Sequence, residues 1–200
     1  MSARSLYLGG GVRRVLNAGD RVKASCFVIS AGFGLVGADT RLPRYDLSVS
    51  GPKFNVALRV GREFDHASWL KAITSGTYST DFESVLRADQ SGLCLIALTN
   101  SYARLIAEAL DELEGGAKRQ LRLFGASLQK VLPSGLHGYC MPYDGRLDRL
   151  INGPKWDFGH RALEHFANGI YGSKAFPIDL EDQADWVRKS FAGLRSPRRV

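Results

Sequence analysis

The chain lacks any long apolar run: no stretch approaches the roughly 18 consecutive apolar residues that a membrane span requires. Its first residues, MSARSLYLGGG, carry no apolar h-region, so no secretory leader is expected and a cytoplasmic protein is. Cysteine is scarce. Cys26, Cys94 and Cys140 are scattered, with no C-x-x-C pair. Cys26 and Cys94 sit in apolar strand-like runs, where a buried thiol acts as a small hydrophobe, which leaves Cys140, in a polar loop, as the candidate reactive thiol. The phosphate-loop pattern G-x-x-x-x-G-K-[ST] is missing, and the G-x-G at Gly32 and Gly34 is not followed promptly by a helix. No internal repeat is present, and nothing in the residues implies a metal or an organic cofactor.

What is present is a globular composition and an excess of arginine. At 200 residues, 44% hydrophobic and 24% charged, the chain is sized for one good core and is read as a single domain over 1–200. Lys plus Arg number 27 against 20 acids, a net charge of +7. Eight of those acids fall in two base-free segments, Glu108 to Glu114 and Asp179 to Asp185, so the remainder carries 27 bases against 12 acids. Arginines recur in clusters: Arg13/Arg14, Arg41/Arg44, Arg59/Arg62, Arg119/Arg122, Arg146/Arg149 and the terminal RSPRRV. Such a field attracts polyanions, nucleic acid first. Acidic small molecules, or simply a basic and soluble surface, are the alternatives.

Hydrophobic periodicity gives an α/β chain. A short helix is expected over Gly11 to Ala18, a strand over Cys26 to Ser30, and helix over Asn55 to Ser75 with a break near Gly61. Thr80 or Asp81 caps a turn or two ending near Ala88. GLCLIALT, Gly92 to Thr99, is apolar on both faces and reads as a central strand. Asn100 or Ser101 then caps a helix carrying Tyr102, Leu105, Ile106, Ala109, Leu110 and Leu113, ended by Gly115 and Gly116. RQLRLFG, Arg119 to Gly125, is the next strand. Strand, helix, strand makes a βαβ unit and predicts a mainly parallel sheet flanked by helices over 1–130.

Residues 131–200 form a loop-rich and helical C-terminal part. Leu132 to Gly159 is rich in glycine, proline and aromatics. A helix is expected from Phe158 to Ile170 behind an Asp157 cap, and a last one near Glu181 to Leu194. His160 and Glu164, four apart, fall opposite the apolar face of Phe158, Ala162, Leu163, Phe166 and Ile170. With no third ligand at credible spacing they read as an exposed pair rather than a metal site.

Ligands of such sheets bind at the carboxyl ends of the strands. Two exits stand out, Ser30 to Asp46 and Thr99 to Tyr102. In the first, Phe33 and Tyr45 are candidate stacking platforms and Asp39 and Asp46 candidate carboxylates; the alternative is a tight turn with Phe33 over the core. In the C-terminal part, Lys155 and Trp156 precede a helix start where free N–H groups suit a phosphate and an indole suits a base. The alternative there is a core tryptophan under a surface lysine.

The first exit also carries a likeness. FVISAGFGLVGADTRLPRYDLSV resembles a motif of the peroxide-stress YaaA family and its related domains, through Ser30, Phe33, Gly34, Leu35, Asp39, Pro43, Tyr45, Asp46 and Leu47. SLYLGGGVRRVLNA and LIALTNSYARLIAEAL resemble the flanking elements, so the match runs over about residues 5 to 125. Relatives begin with a further strand, which predicts either an incomplete site edge or a partner chain that completes it. The resemblance implies a mixed α/β fold, a positively charged cleft and DNA binding. Relatives also occur beside 7-deazaguanine DNA-modification genes, which admits chemistry on a nucleobase.

Two readings follow for a DNA-binding protein of this type. As a glycosylase-like enzyme, Asp46 or Asp39 would stabilise positive sugar character or activate water, Phe33 or Tyr45 would sandwich an everted base, and Asn100 would read its edge. As a binding module it needs no catalytic carboxylate, and its affinity rests on Arg41, Arg44 and Lys155. Ser30, Gly34 and Tyr102 complete the expected base-binding set. An enzyme acting on free nucleotides is a third reading.

Overall fold

The computed structural model describes residues 1–89, 92–173 and 175–195. Arg198 and Arg199 of the terminal arginine cluster therefore lie outside the described residues. The fold is mixed α/β. After α1 (Ala3–Leu6) and α2 (Gly10–Arg21) comes a hairpin of β1 (Phe27–Ser30) and β2 (Gly34–Gly37). Then follow α3 (Val56–Val60) and α4 (His66–Thr74), the expected helical stretch broken at Gly61, and α5 (Phe82–Ala88), the expected turn or two ending near Ala88. β3 (Cys94–Ala97), α6 (Asn100–Asp111), α7 (Gly115–Arg119) and β4 (Leu121–Phe124) form the expected βαβ unit. Four 3-10 turns between Leu128 and Asp157 lead to α8 (Phe158–Gly172) and α9 (Leu180–Ser190).

Among the described residues, parallel pairing between strands is confined to β3 and β4, with Cys94 opposite Leu121 and Ala97 opposite Phe124; isolated parallel bridges join Ser48 to Asn55 and Leu123 to Cys140. β1 instead pairs antiparallel with β2, Phe27 opposite Gly37 and Ser30 opposite Gly34. The exit loop expected from Ser30 to Asp46 is thus half strand. Its reversal takes three residues, and Gly34 makes it possible by adopting φ +72°. A side chain there would also strike Ser79 Oγ at 2.6 Å and Thr74 Cγ2 at 2.7 Å.

The β3–β4 sheet separates two cores because successive strand residues face opposite ways. Ile96, Leu98, Leu121 and Leu123 join a cluster with α4, α5 and α6, including Leu70, Phe82, Leu105, Ile106 and Leu110. Leu95, Ala97 and Phe124 face α2, α8 and α9, meeting Ala18, Leu163, Phe166, Val187 and Phe191. All five residues of the predicted α8 face lie in that second cluster, as do Leu180 and Ala184 of α9 and Leu194, which lies past the helix end at Ser190.

Helix starts follow side-chain chemistry. Asp81 Oδ1 accepts from Ser84 N at 2.7 Å, and Asp65 Oδ2 from Ser68 N at 2.8 Å. At α6 the cap is Thr99, whose Oγ1 accepts from Tyr102 N at 3.5 Å, not Asn100 or Ser101. Gly115 and Gly116 open α7 rather than close α6. The N-terminal edge is occupied by the chain itself: the Met1 amine donates to Leu42 O at 3.0 Å, Leu42 N donates back to Met1 O at 2.8 Å, and Ser2 bridges Arg41.

Candidate nucleic-acid interface

At the end of β1, Ser30 is fully buried and its hydroxyl organises the turn. Ser30 Oγ accepts from Phe33 N at 3.0 Å and Gly32 N at 3.2 Å, and shares a 2.6 Å hydrogen bond with Tyr45 Oη. Tyr45 Oη is bonded in turn to Tyr7 Oη, which links α1, β1 and the 41–47 loop. Burial drives the Tyr7 phenol far above its usual range and pushes Tyr102, at the start of α6, up to about 12. The Tyr7 hydroxyl is a neutral hydrogen-bonding strut rather than a base.

The ring pair expected to hold a base is engaged with itself. Phe33 meets Tyr45 edge-on at 4.7 Å and Tyr78 at 5.3 Å, and packs against a small cluster of Ala3, Val36 and Leu42. The turn reading of Phe33 therefore describes this site better than the open-platform reading. Asp39 lies outside the ring cluster, its side chain 88% exposed and 3.6 Å from Arg4 Nε. Asp46 is exposed, with no hydrogen bond or ion pair among the described residues. Neither carboxylate hydrogen-bonds the tyrosines. Asn100 is exposed at the first turn of α6.

The exits of β1 and β3 nevertheless share one end of the molecule, and α8 starts there. A Cβ on Gly159 would lie 2.6 Å from Phe124 O and 2.9 Å from Leu98 O, so the first turn of α8 sits directly on the strand ends. Arg161, 1% exposed, holds the preceding loop in place. Its Nη1 donates to Asp148 Oδ1 and to Ile151 O, each at 2.6 Å, and Nη2 to Pro154 O at 3.2 Å. That loop presents Lys155 and Trp156. Trp156 is 63% exposed, so the core-tryptophan alternative does not hold.

Asp157 occupies the N-cap position of α8, but its side chain makes no cap bond. It turns, 3% exposed, into a seam between α2 and α8, where Asp157 Oδ2 lies 3.3 Å from Arg14 Nε and Oδ1 3.1 Å from His160 Nδ1. Glu164 binds Arg14 directly and Arg21 at 3.4 Å. The exposed His160–Glu164 pair expected from spacing is thus corrected: both side chains turn into this seam, where Arg14 and Arg21 pair with Glu164 and Asp157 pairs with His160. Burial pulls His160 below the usual imidazole range despite Asp157.

The candidate reactive thiol, Cys140, is corrected too, whereas Cys94 packs against the main core as expected. Cys140 is half-buried against the main core and pushed up to about 11, and Cys94 up to about 12, both by burial. Cys140 carries no reactive thiolate at neutral pH.

The structure also sorts the arginine clusters. In Arg13/Arg14 the second member is held by Glu164, and in Arg146/Arg149 the first is held by Asp144 at 2.8 Å. In Arg119/Arg122 the second is 2% exposed, bound to Gln183 and to two backbone carbonyls. Two clusters stay free. Arg41, Arg44, Arg59 and Arg62 are exposed, and none has a carboxylate partner among the described residues. Lys53 joins them. From Leu47 to Arg62 there is no acid, a signal that was readable in the sequence and that adds Lys53, Phe54, Arg59 and Arg62 to the candidate residues.

This 48–62 segment is braced rather than loose. Ser48 N donates to Phe54 O and Val56 N to Ser48 O, both at 2.8 Å. Asn55 caps α3 through Ala57 N at 2.9 Å and ties back to Gly51 O at 2.9 Å. Phe54 holds φ +60°, which costs a bulky residue about 1–3 kcal/mol and persists only where the surroundings over-determine it.

The sequence matches no protein-family model, no curated protein and no solved structure, so the reading of this surface rests on its own geometry.

Proposed function

We propose that the protein is a nucleic-acid-binding module, with DNA as its partner, that docks through the strand-exit end and the neighbouring 41–62 segment. The observation that carries this reading is the sorting of the basic residues. Where arginines serve the fold, carboxylates or carbonyls hold them; Arg41, Arg44, Arg59 and Arg62 are exposed, with no carboxylate partner among the described residues. Lys155 and Trp156, displayed by the Arg161-anchored loop, add a phosphate contact and a ring able to stack on an unpaired base. The likeness of residues 5–125 to the YaaA family points toward the same partner. Because Met1 and Ser2 already pair with the 41–42 segment, the reading needs no second chain at that edge.

Binding rather than base chemistry is the version favoured. The rings of Phe33 and Tyr45 are spent on each other, and Asp39 and Asp46 lie in solvent apart from the buried hydroxyls. The test is fluorescence anisotropy with duplex and single-stranded DNA across a salt series, with released bases followed by mass spectrometry. The expected result is affinity that falls linearly in log–log form with salt, weakened by Arg44→Ala and Lys155→Ala, with no base released. Trp156→Ala should weaken single-strand binding more than duplex binding. Salt-independent or absent binding would overturn the proposal; base release lost in Asp46→Ala would restore the enzymatic reading.

A further inference from the structure

The segment Gly51–Arg62 is built for a more particular task than general attraction. Lys53 Nζ lies 4.9 Å and the Arg59 guanidinium 5.7 Å from the centre of the same Phe54 ring. Among the described residues this is the one ring that two cations approach, and no carboxylate stands between them. Two like charges gathered on a ring repel each other. A bridging anion removes that penalty, and the ring fixes both groups before the anion arrives, so less freedom is given up on binding. Beside them Leu58 is 69% exposed and Val60 45% exposed, apolar groups with nothing to cover them.

We infer that Gly51–Arg62 is a second arm of DNA contact, in which Lys53 and Arg59 pinch a backbone phosphate, Arg62 takes a neighbouring one, and Leu58 packs against the sugar wall of the groove. The inference rests on the nucleic-acid reading and extends it, since it requires a partner long enough to reach from Lys155 and Trp156 to this arm. Charge complementarity fits a phosphate ladder, and the shape of α3 favours it over an anionic lipid surface. α3 is only five residues, and Leu58 and Val60, two apart, lie on different sides of it, so no continuous apolar face exists to enter a bilayer.

The experiment compares the protein with Lys53→Ala/Arg59→Ala/Arg62→Ala and with Leu58→Ser, on a random-sequence duplex long enough to span both contacts, across a salt series. Thermal unfolding of each variant serves as the folding control, and the exposure of these side chains predicts unchanged midpoints. The triple variant should lower the salt slope by about 2–3, close to one for each cation removed from the phosphates. Leu58→Ser should weaken binding about three- to tenfold at unchanged slope, because it removes apolar surface and no charge. If the wild-type protein binds the duplex and both variants match it in affinity and slope, the arm does not touch DNA: the inference falls, and the parent reading survives only on Arg41, Arg44, Lys155 and Trp156. If the wild-type protein does not bind, the parent reading falls and takes the inference with it. Binding to phosphatidylcholine–phosphatidylserine vesicles that Leu58→Ser abolishes, without duplex binding, would replace both with a membrane surface.

Discussion

Replacing Gly159 by alanine isolates the close approach that seats α8 on the strand ends. The added Cβ would stand 2.6 Å from Phe124 O, 2.9 Å from Leu98 O and 3.2 Å from Leu98 N. Ordinary contact begins at 3.4 Å, so the helix start must retreat by about 0.8 Å from Phe124 O. All three neighbours are backbone, and Leu98 N already donates to Phe124 O at 2.8 Å, so no side-chain rotation absorbs the clash. Overpacking of this kind costs about 1–3 kcal/mol, and a rigid backbone neighbour places the cost at the upper end. Against it stands the helical preference of alanine over glycine, about 1 kcal/mol in a helix interior and less in a first turn. The net loss is about 2 kcal/mol, which lowers the melting temperature of a chain this long by roughly 4–8 °C. Differential scanning calorimetry or a circular-dichroism melt reads it. Gly172→Ala, at the other end of the same helix with nothing within 4 Å, is the control and should be neutral or mildly stabilising. A Gly159→Ala protein that melts at or above the wild-type temperature would refute the close approach and the seating of α8 with it.

Two further outcomes follow from the buried groups. Ser30→Ala strips the acceptor from Gly32 N and Phe33 N and the partner from Tyr45, which should cost about 1–3 kcal/mol in a urea titration, whereas a loss within experimental error would mean that the hydroxyl does not organise the turn. Burial raises Cys140 from 9.0 to about 11 and Cys94 to about 12, so the unfolded thiols ionise first; their contribution to stability is complete below pH 9 and fades as pH climbs toward 11 and 12, and Cys140 should label slowly with iodoacetamide at pH 8, where rapid labelling would contradict its burial.

Local patterning carried much of this protein into view. The double-faced apolar run before Thr99 marks β3, helical spacing marks α6, α8 and α9, and the order of these elements marks the βαβ unit. β2 escaped because GLVG offers only two apolar residues between glycines, too short a pattern to distinguish from a turn. In the candidate site, Trp156 and the free Arg41/Arg44 pair were legible, while the pairing of Phe33 with Tyr45 was not. That pairing depends on where the loop after β2 folds back, which no period encodes.

The sequence by itself determined the α/β character, the positions of the strongly periodic helices and the excess of arginine, because each depends on neighbours within a turn or two of the chain. Only the tertiary structure decided which arginines still carry usable charge. Arg14 meets Glu164 across 150 residues of chain, while Arg41 and Arg59 meet no carboxylate among the described residues. Charge is a property of residue type, but neutralisation is a property of distance, and distance between remote residues exists only once the chain has packed.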